Sequence, residues 1–412
     1  MTSDERWNFC VNSGDIAFIT LGLSLVSRET VIPLLVSRLT GSQVAVGLVP
    51  MVYTGFYLLP QIFVANYFER LALKKPFLML VSALGERLPY LLIGVALFLF
   101  GAAHPGLTYV AVIVLLGISA LSNGVCTPAW LDMIAKVIPV ERRGLFFGLG
   151  RSAGTLLATG GATLIGVILA AVAFPSNYGA LFVIAWTSMM VSWLGLSLTR
   201  EAPGTTTKPK VSITHYLKGV RGVLRRERNF RRFVAAESLI HFGAMANPFF
   251  IIAAGSYYQM PPRWIGFYTA LLVASQTGSY FLVGIVGDRF GHKRALVAGA
   301  SSLVLANVAA LLAPSPLTYS LVFVGLGVFI SSDTVCRMSM VVELCPPEER
   351  PTFVGLSNTI LSMSSSIAPI AGGIISTRYG FGTLFVLAGS IGVVGALSMI
   401  LLFREPRRLT KP

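Results

Sequence analysis

Apolar residues run along this chain in blocks of around 20, and charged residues fall between the blocks. A bilayer core about 30 Å thick takes roughly 20 apolar residues per helix. Twelve such blocks predict twelve membrane-spanning helices, at approximately 12–36, 44–67, 77–100, 107–131, 144–172, 178–198, 231–256, 265–287, 294–313, 317–336, 352–375 and 382–403. Composition supports the pattern: 54% of residues are hydrophobic and 12% charged, where soluble proteins carry about 25% charged residues. The 41 glycines suit helices that approach closely in lipid. The first residues, Met1 to Arg6, lack the basic start and small-residue cleavage site of a cleaved signal. The four cysteines (Cys10, Cys126, Cys336, Cys345) have no metal-ligand spacing and predict neither a disulfide framework nor a metal centre.

A net charge of +15 could suggest nucleic acid, but its distribution points elsewhere. Of 32 Lys and Arg, all but six (Arg28, Arg38, Arg87, Arg151, Arg263, Arg378) lie in the two tails and in every second loop. The positive-inside rule therefore puts both termini in the cytoplasm and predicts no nucleic-acid partner.

Two loops occur twice. Gly284-Ile-Val-Gly-Asp288-Arg289-Phe290-Gly291-His292-Lys293-Arg294 follows the eighth span, and Ala65-Asn-Tyr-Phe-Glu69-Arg70-Leu71-Ala72-Leu73-Lys74-Lys75 follows the second. Glu69 aligns with Asp288, Arg70 with Arg289, Lys74 with Lys293 and Lys75 with Arg294. Likewise Pro139-Val-Glu141-Arg142-Arg143-Gly144, before the fifth span, aligns with Pro346-Pro-Glu348-Glu349-Arg350-Pro351, before the eleventh. Repeated loops on one side of the membrane predict two parallel repeats of six helices. The expected organisation is a first half at 1–200, a cytoplasmic linker at 201–230 and a second half at 231–412. In the linker, Ile213, Tyr216, Leu217, Val220, Val223 and Leu224 recur at helical spacing opposite Lys218, Arg221, Arg225 and Arg226. This predicts a basic amphipathic helix attracted to the anionic inner leaflet, or a plain linker that obeys the charge rule.

Gly-x-x-x-Asp-Arg-x-Gly-x-Lys-Arg at 284–294 resembles the signature loop of the major facilitator superfamily, and Pro139 to Gly148 resembles that family's loop between helices 4 and 5. The first copy of the signature departs from the pattern at Ala65, Glu69 and Ala72. The resemblance implies an all-helical membrane fold and a secondary transporter of the plasma or inner membrane. It also implies an inner gate built from Glu69, Arg70, Gly284, Asp288, Arg289, Gly291, Arg143 and Arg350. In that family helices 1, 4, 7 and 10 line the central cavity, with 2, 5, 8 and 11 beside them.

Ionisable residues inside a membrane are candidate functional groups, because burying a charge costs several kcal/mol unless it is paired or hydrated. The first span holds Asp15, Arg28 and Glu29, the third Glu86 and Arg87, the fifth Arg151, the seventh Glu237 and His241, and the tenth Asp333 and Arg337. The resemblance ranks Arg28, Glu29, Arg151 and Glu237 above Glu86 and Arg87 as cavity residues. Structural readings stand beside these: an interhelical ion pair for Arg28 and Glu29, snorkelling for Arg151, pairing of Glu237 with Arg231 or Arg232, and an anchor for Asp333 with Arg337. Asn123, Asn247, Gln276 and Asn358 complete the candidate site, and Tyr53, Tyr57 and Gln61 form a stripe that reads first as packing. Glu29, Glu237, His241 and Asp333 are candidates for proton coupling, His being the side chain that titrates near neutral pH. Ser366-Ile-Ala368-Pro369-Ile-Ala-Gly372-Gly373 resembles a helix 5 motif of drug antiporters, displaced to the eleventh span.

No Walker loop or nucleophile constellation is present, so neither ATP, a cofactor nor an enzymatic reaction is expected. The expectation is a monomeric, proton-coupled exporter of amphiphilic compounds. Import of a polar or zwitterionic metabolite and a non-transporting sensor are the alternatives.

Overall fold

The computed structural model describes residues 1–68, 73–202, 222–346 and 349–406 and is helical. Its main helices are α1 (Ser3–Leu25), α2 (Val31–Thr40), α3 (Gln43–Phe68), α4 (Lys75–Phe100), α5 (Pro105–Val137), α6 (Arg143–Ala171) and α7 (Ser176–Ser197). After residue 222 follow α8 (Arg228–Tyr258), α9 (Arg263–Phe290), α10 (His292–Leu312), α11 (Pro316–Glu343) and α12 (Arg350–Leu401). Among the described residues, nine helices are long and apolar enough to cross a membrane. The predicted amphipathic helix falls largely outside the described residues.

Local chemistry explains where the helices differ from simple spans. The first expected span is two helices. α1 ends at Val26, and Ser27 takes over: its carbonyl accepts the N–H groups of both Val31 and Ile32 (3.0 Å each), while its hydroxyl accepts Glu29 N–H (3.2 Å). Pro33, in the first turn of α2, has no N–H to lose there. Arg28 and Glu29 therefore sit in a turn between helices, not on a continuous helix face. Conversely, the last two expected spans join in α12 through Gly380, whose φ of 82° breaks the helical path.

α4 and α11 each contain a π-helical segment, Ser82–Arg87 and Asp333–Arg337. In α4 the ring of Pro89 would strike the carbonyl four residues earlier, and the wider turn relieves this. Both wide turns carry charged residues, as such bulges often do.

The chain forms two compact units. The first contains Met1–Gly41, Val52–Lys210 and Pro261–Ala270, the second Ser42–Met51, Val211–Met260 and Leu271–Pro412. In the first unit α1 packs on α6 and α7. Gly150 and Gly154 of α6 lie against Ile16 and Thr20, where a Cβ would stand 3.1 and 2.7 Å from side-chain carbons. In the second unit α8 and α10 pack on α12, and α10 on α11.

Each unit ties its helix ends with the same device. Asn8 of α1 brackets Arg200: its Nδ2 donates to the Arg200 carbonyl (2.9 Å) and its Oδ1 accepts the Arg200 N–H (2.7 Å). Asn229 of α8 does the same to Arg404, at 2.8 and 3.0 Å. The next residue in each case is a glutamate. Glu201 accepts the N–H groups of Lys74 (2.9 Å) and Lys75 (2.8 Å) at the start of α4. Glu405 accepts the N–H of Lys293 (3.2 Å) at the start of α10. A lysine closes each ring: Lys75 Nζ donates to the Thr199 carbonyl (2.8 Å), and Lys293 Nζ to the Phe403 carbonyl (2.6 Å). Gly291, just before α10, has φ 93°, and a Cβ there would stand 2.8 Å from the Glu405 carboxylate.

A carboxylate at a helix N-terminus satisfies orphan N–H groups and opposes the helix dipole. Glu201→Gln keeps the shape but loses the charge, and is expected to lower stability by about 1 kcal/mol. A drop in the thermal unfolding midpoint of purified protein checks this, and an unchanged midpoint would mean the contact contributes nothing.

Candidate functional site

In the second unit, α8, α11 and α12 bring together a polar cluster inside an otherwise apolar interior. Glu237 and His241 stand one turn apart on α8. Asp333 and Arg337 lie on the wide turn of α11, and Asn358 and Ser365 lie on α12. His241 Nδ1 is 3.0 Å from Ser365 Oγ, and its Nε2 is 3.3 Å from Asp333 Oδ1. Arg337 donates to Asp333 Oδ1 from Nε (3.1 Å) and to Asn358 Oδ1 from Nη1 (3.2 Å). Glu237 is 2% exposed, and its Oε1 has no hydrogen-bond partner among the described residues. It faces the cluster rather than Arg231 or Arg232: one ligand atom each of Glu237, His241 and Asp333 lie within 4.8 Å of one another.

Two carboxylates and an imidazole at that separation can share a proton or hold a cation, with Arg337 balancing one negative charge. The sequence carried no metal-ligand spacing, because the three residues come from helices nearly 100 positions apart.

In the first unit a second set of charges is assembled, and it was not foreseen as one site. Arg87 is 3% exposed. It donates to the Met189 carbonyl (2.9 Å), Ser192 Oγ (3.1 Å) and Glu86 Oε2 (3.0 Å), and lies 3.8 Å from Asp15 Oδ1. Asp15, also buried, accepts from Ser192 Oγ (2.5 Å) and Trp130 Nε1 (3.3 Å). Glu86 Oε1 accepts from Asn123 Nδ2 (2.7 Å). The chain of contacts continues through Thr127, which donates to Asn123 Oδ1 (3.2 Å) and reaches Tyr57 OH at 3.5 Å. Tyr57 stacks on Tyr53, and the Arg28 guanidinium lies 4.0 Å above the Tyr53 ring. A Glu-Arg pair just ahead of Pro89 was the available sequence signal; its partners Asp15 and Ser192 come from other helices.

The remaining candidates are scattered. Arg151 is exposed on α6. Asn247 lies on a 3-10 turn within α8, where its Oδ1 is buried with no hydrogen-bond partner among the described residues. Gln276 is half-buried on α9, and its carbonyl accepts from Ser331 Oγ (2.9 Å). Glu29 is half-buried beside Arg28. Of the predicted gate, Gly284, Asp288 and Arg289 form the last turns of α9, and Gly291 is the hinge before α10. Arg143, at the start of α6, donates to the carbonyls of Ile138 (3.2 Å) and Ala135 (2.6 Å). Arg350 begins α12; Glu69 and Arg70 lie outside the described residues. In the antiporter-like stretch, a Cβ on Gly372 would stand 2.6 Å from the Met245 carbonyl, so close helix packing accounts for that glycine.

Comparison with known proteins agrees with this architecture. A model of the Major Facilitator Superfamily matches residues 235–412. The nucleoside transporter NupG superposes with a TM-score of 0.77 over 96% of this chain and 100% of its own, at 12% identity. A D-xylose-proton symporter superposes at 0.66 over 98% and 97%, also at 12% identity. Residues 235–412 are thus similar to the major facilitator superfamily, and the chain over nearly its whole length has the fold of these solved transporters. In sequence it is similar to an uncharacterized MFS-type transporter of Methanocaldococcus jannaschii, 23% identical over 32% of this chain and 34% of that protein. It is also similar to the tetracenomycin C resistance and export protein of Streptomyces glaucescens, 22% identical over 36% of this chain and 27% of that protein. The matched stretches thus span about a third or less of these relatives.

Proposed function

We propose that the protein moves a small molecule across the cytoplasmic membrane by alternating access, and that proton exchange at Glu237, His241 and Asp333 drives the cycle. In this reading two six-helix halves, 1–200 and 231–412, rock about the bound solute. Both termini and the basic loops face the cytoplasm in this reading.

The observation that carries the coupling is the buried Glu237 carboxylate with an unpartnered oxygen. Keeping it ionised there costs several kcal/mol, and a proton removes that cost. The charged and titratable groups around it are His241 on its own helix and Asp333, Cys336 and Arg337 on α11. α12 contributes the neutral Asn358 and Ser365. A proton on Glu237 leaves Asp333 paired with Arg337. Its release leaves two carboxylates against one arginine.

Export of amphiphilic compounds is the preferred direction, supported by the partial similarity to the tetracenomycin export protein. The test is substrate-dependent proton movement in liposomes carrying the purified protein and an internal pH dye. Transport that proceeds at one rate with and without an imposed pH gradient would sink the coupling.

A further inference from the structure

Arg28 makes no ion pair among the described residues. Asp15, buried, and Glu86, half-buried, the acids of the first unit's polar chain, are both engaged by Arg87. Nor does Arg28 make a hydrogen bond among the described residues, and the Tyr53 ring lies 4.0 Å below the guanidinium. Tyr57, Tyr90 and Glu29 are its other electrostatic neighbours. The residue is nonetheless exposed.

A guanidinium stacked on a ring keeps its plane fixed and its edge N–H donors unoccupied. Such an edge matches a carboxylate, which accepts two parallel hydrogen bonds. The surroundings are aromatic: the rings of Tyr53 and Tyr57 lie 6.3 Å apart and 18° from parallel. The turn that holds Arg28 is fixed by Ser27 and not by the arginine itself, since Ser27 makes the hydrogen bonds that join α1 to α2. Arg28 is therefore not needed to build the turn that presents it. Glu29 beside it disfavours a ligand with two negative charges.

From this we infer that Arg28, Tyr53 and Tyr57 form a binding subsite for a flat-ringed monocarboxylate, the carboxylate on the Arg28 edge and the ring against the tyrosines. This names a substrate class for the transport reading and rests on it, but the test reads binding alone. Full-length protein purified in detergent is titrated by calorimetry with phenylacetate, 1-naphthoate and indole-3-acetate, and with the matching neutral amides.

The expected result is binding of at least one acid, with its amide about 10- to 100-fold weaker, the loss of a charge-assisted pair. Arg28→Ala removes the difference between acid and amide; Arg28→Lys restores part of it, as a point charge without the fork. Tyr53→Leu weakens acid and amide together. Acid and amide binding equally, no acid binding, or an Arg28→Ala protein that still prefers the acid each overturns the subsite. If Arg28→Ala does not fold, the acid-amide comparison on the unaltered protein and on Arg28→Lys decides the matter. Selective binding without flux keeps the subsite and removes the transport reading; flux of other compounds without acid binding does the reverse.

Discussion

Arg87→Ala is expected to destabilise the protein by about 3–5 kcal/mol, the cost of breaking a buried ion pair from one side. Arg87 holds three helices by hydrogen bonds or charge, reaching Met189 and Ser192 on α7, Asp15 on α1 and Glu86 on its own α4, and Glu86 adds a fourth through Asn123 of α5. Its loss leaves Asp15 and Glu86 as two inward carboxylates with no cation between them. The double variant Asp15→Asn, Arg87→Met removes charge on both sides and is expected to recover part of the loss, since coupled sites are not additive. Thermal unfolding followed by intrinsic fluorescence, with size-exclusion recovery, measures both. If Arg87→Ala melts like the starting protein, the network is not what holds the first unit together.

The second large effect is functional. Glu237→Gln keeps the size and hydrogen-bonding shape of the side chain but cannot give up a proton. Gradient-driven accumulation is expected to fall to background, while exchange of labelled for unlabelled solute at equal pH continues within about 10-fold of normal, because one glutamine in place of a protonated acid changes binding by about 1.4 kcal/mol or less. Asp333→Asn is expected to act differently: it leaves Arg337 without its ion-pair partner and lowers both exchange and stability. Measuring driven uptake and exchange on the same liposomes separates the two roles. Driven transport that survives Glu237→Gln moves the coupling site elsewhere.

Much of the fold was legible because lipid imposes length and apolarity on each span, and because loop charge records sidedness. Helix breaks were less so. Ser27 ends α1 through backbone acceptance, which any residue's carbonyl can provide, so Arg28 and Glu29 read as members of a long apolar helix. Gly380 closes the gap between the last two spans with a single unusual φ, and in sequence it is one glycine among 41. The site was legible in its members but not in its partnerships. Glu237 and His241 were visible as a pair at helical spacing, yet Asp333 joins them only because the wide turn of α11 re-aims it. The Asp15–Arg87–Glu86 set was visible as three charges in two spans; family helix order placed α4 outside the cavity and so ranked Glu86 and Arg87 low, whereas Asn123 links them to the candidate residues.

The twin asparagine and glutamate anchors also carry a record of descent. Asn8 corresponds to Asn229, Lys74 to Lys293, Pro139 to Pro346 and Glu201 to Glu405. The spacing between counterparts shrinks along the chain, and most of the shrinkage falls between Lys74 and Pro139. The two copies thus differ in length chiefly in the stretch that begins α4 and ends α5 in the first copy.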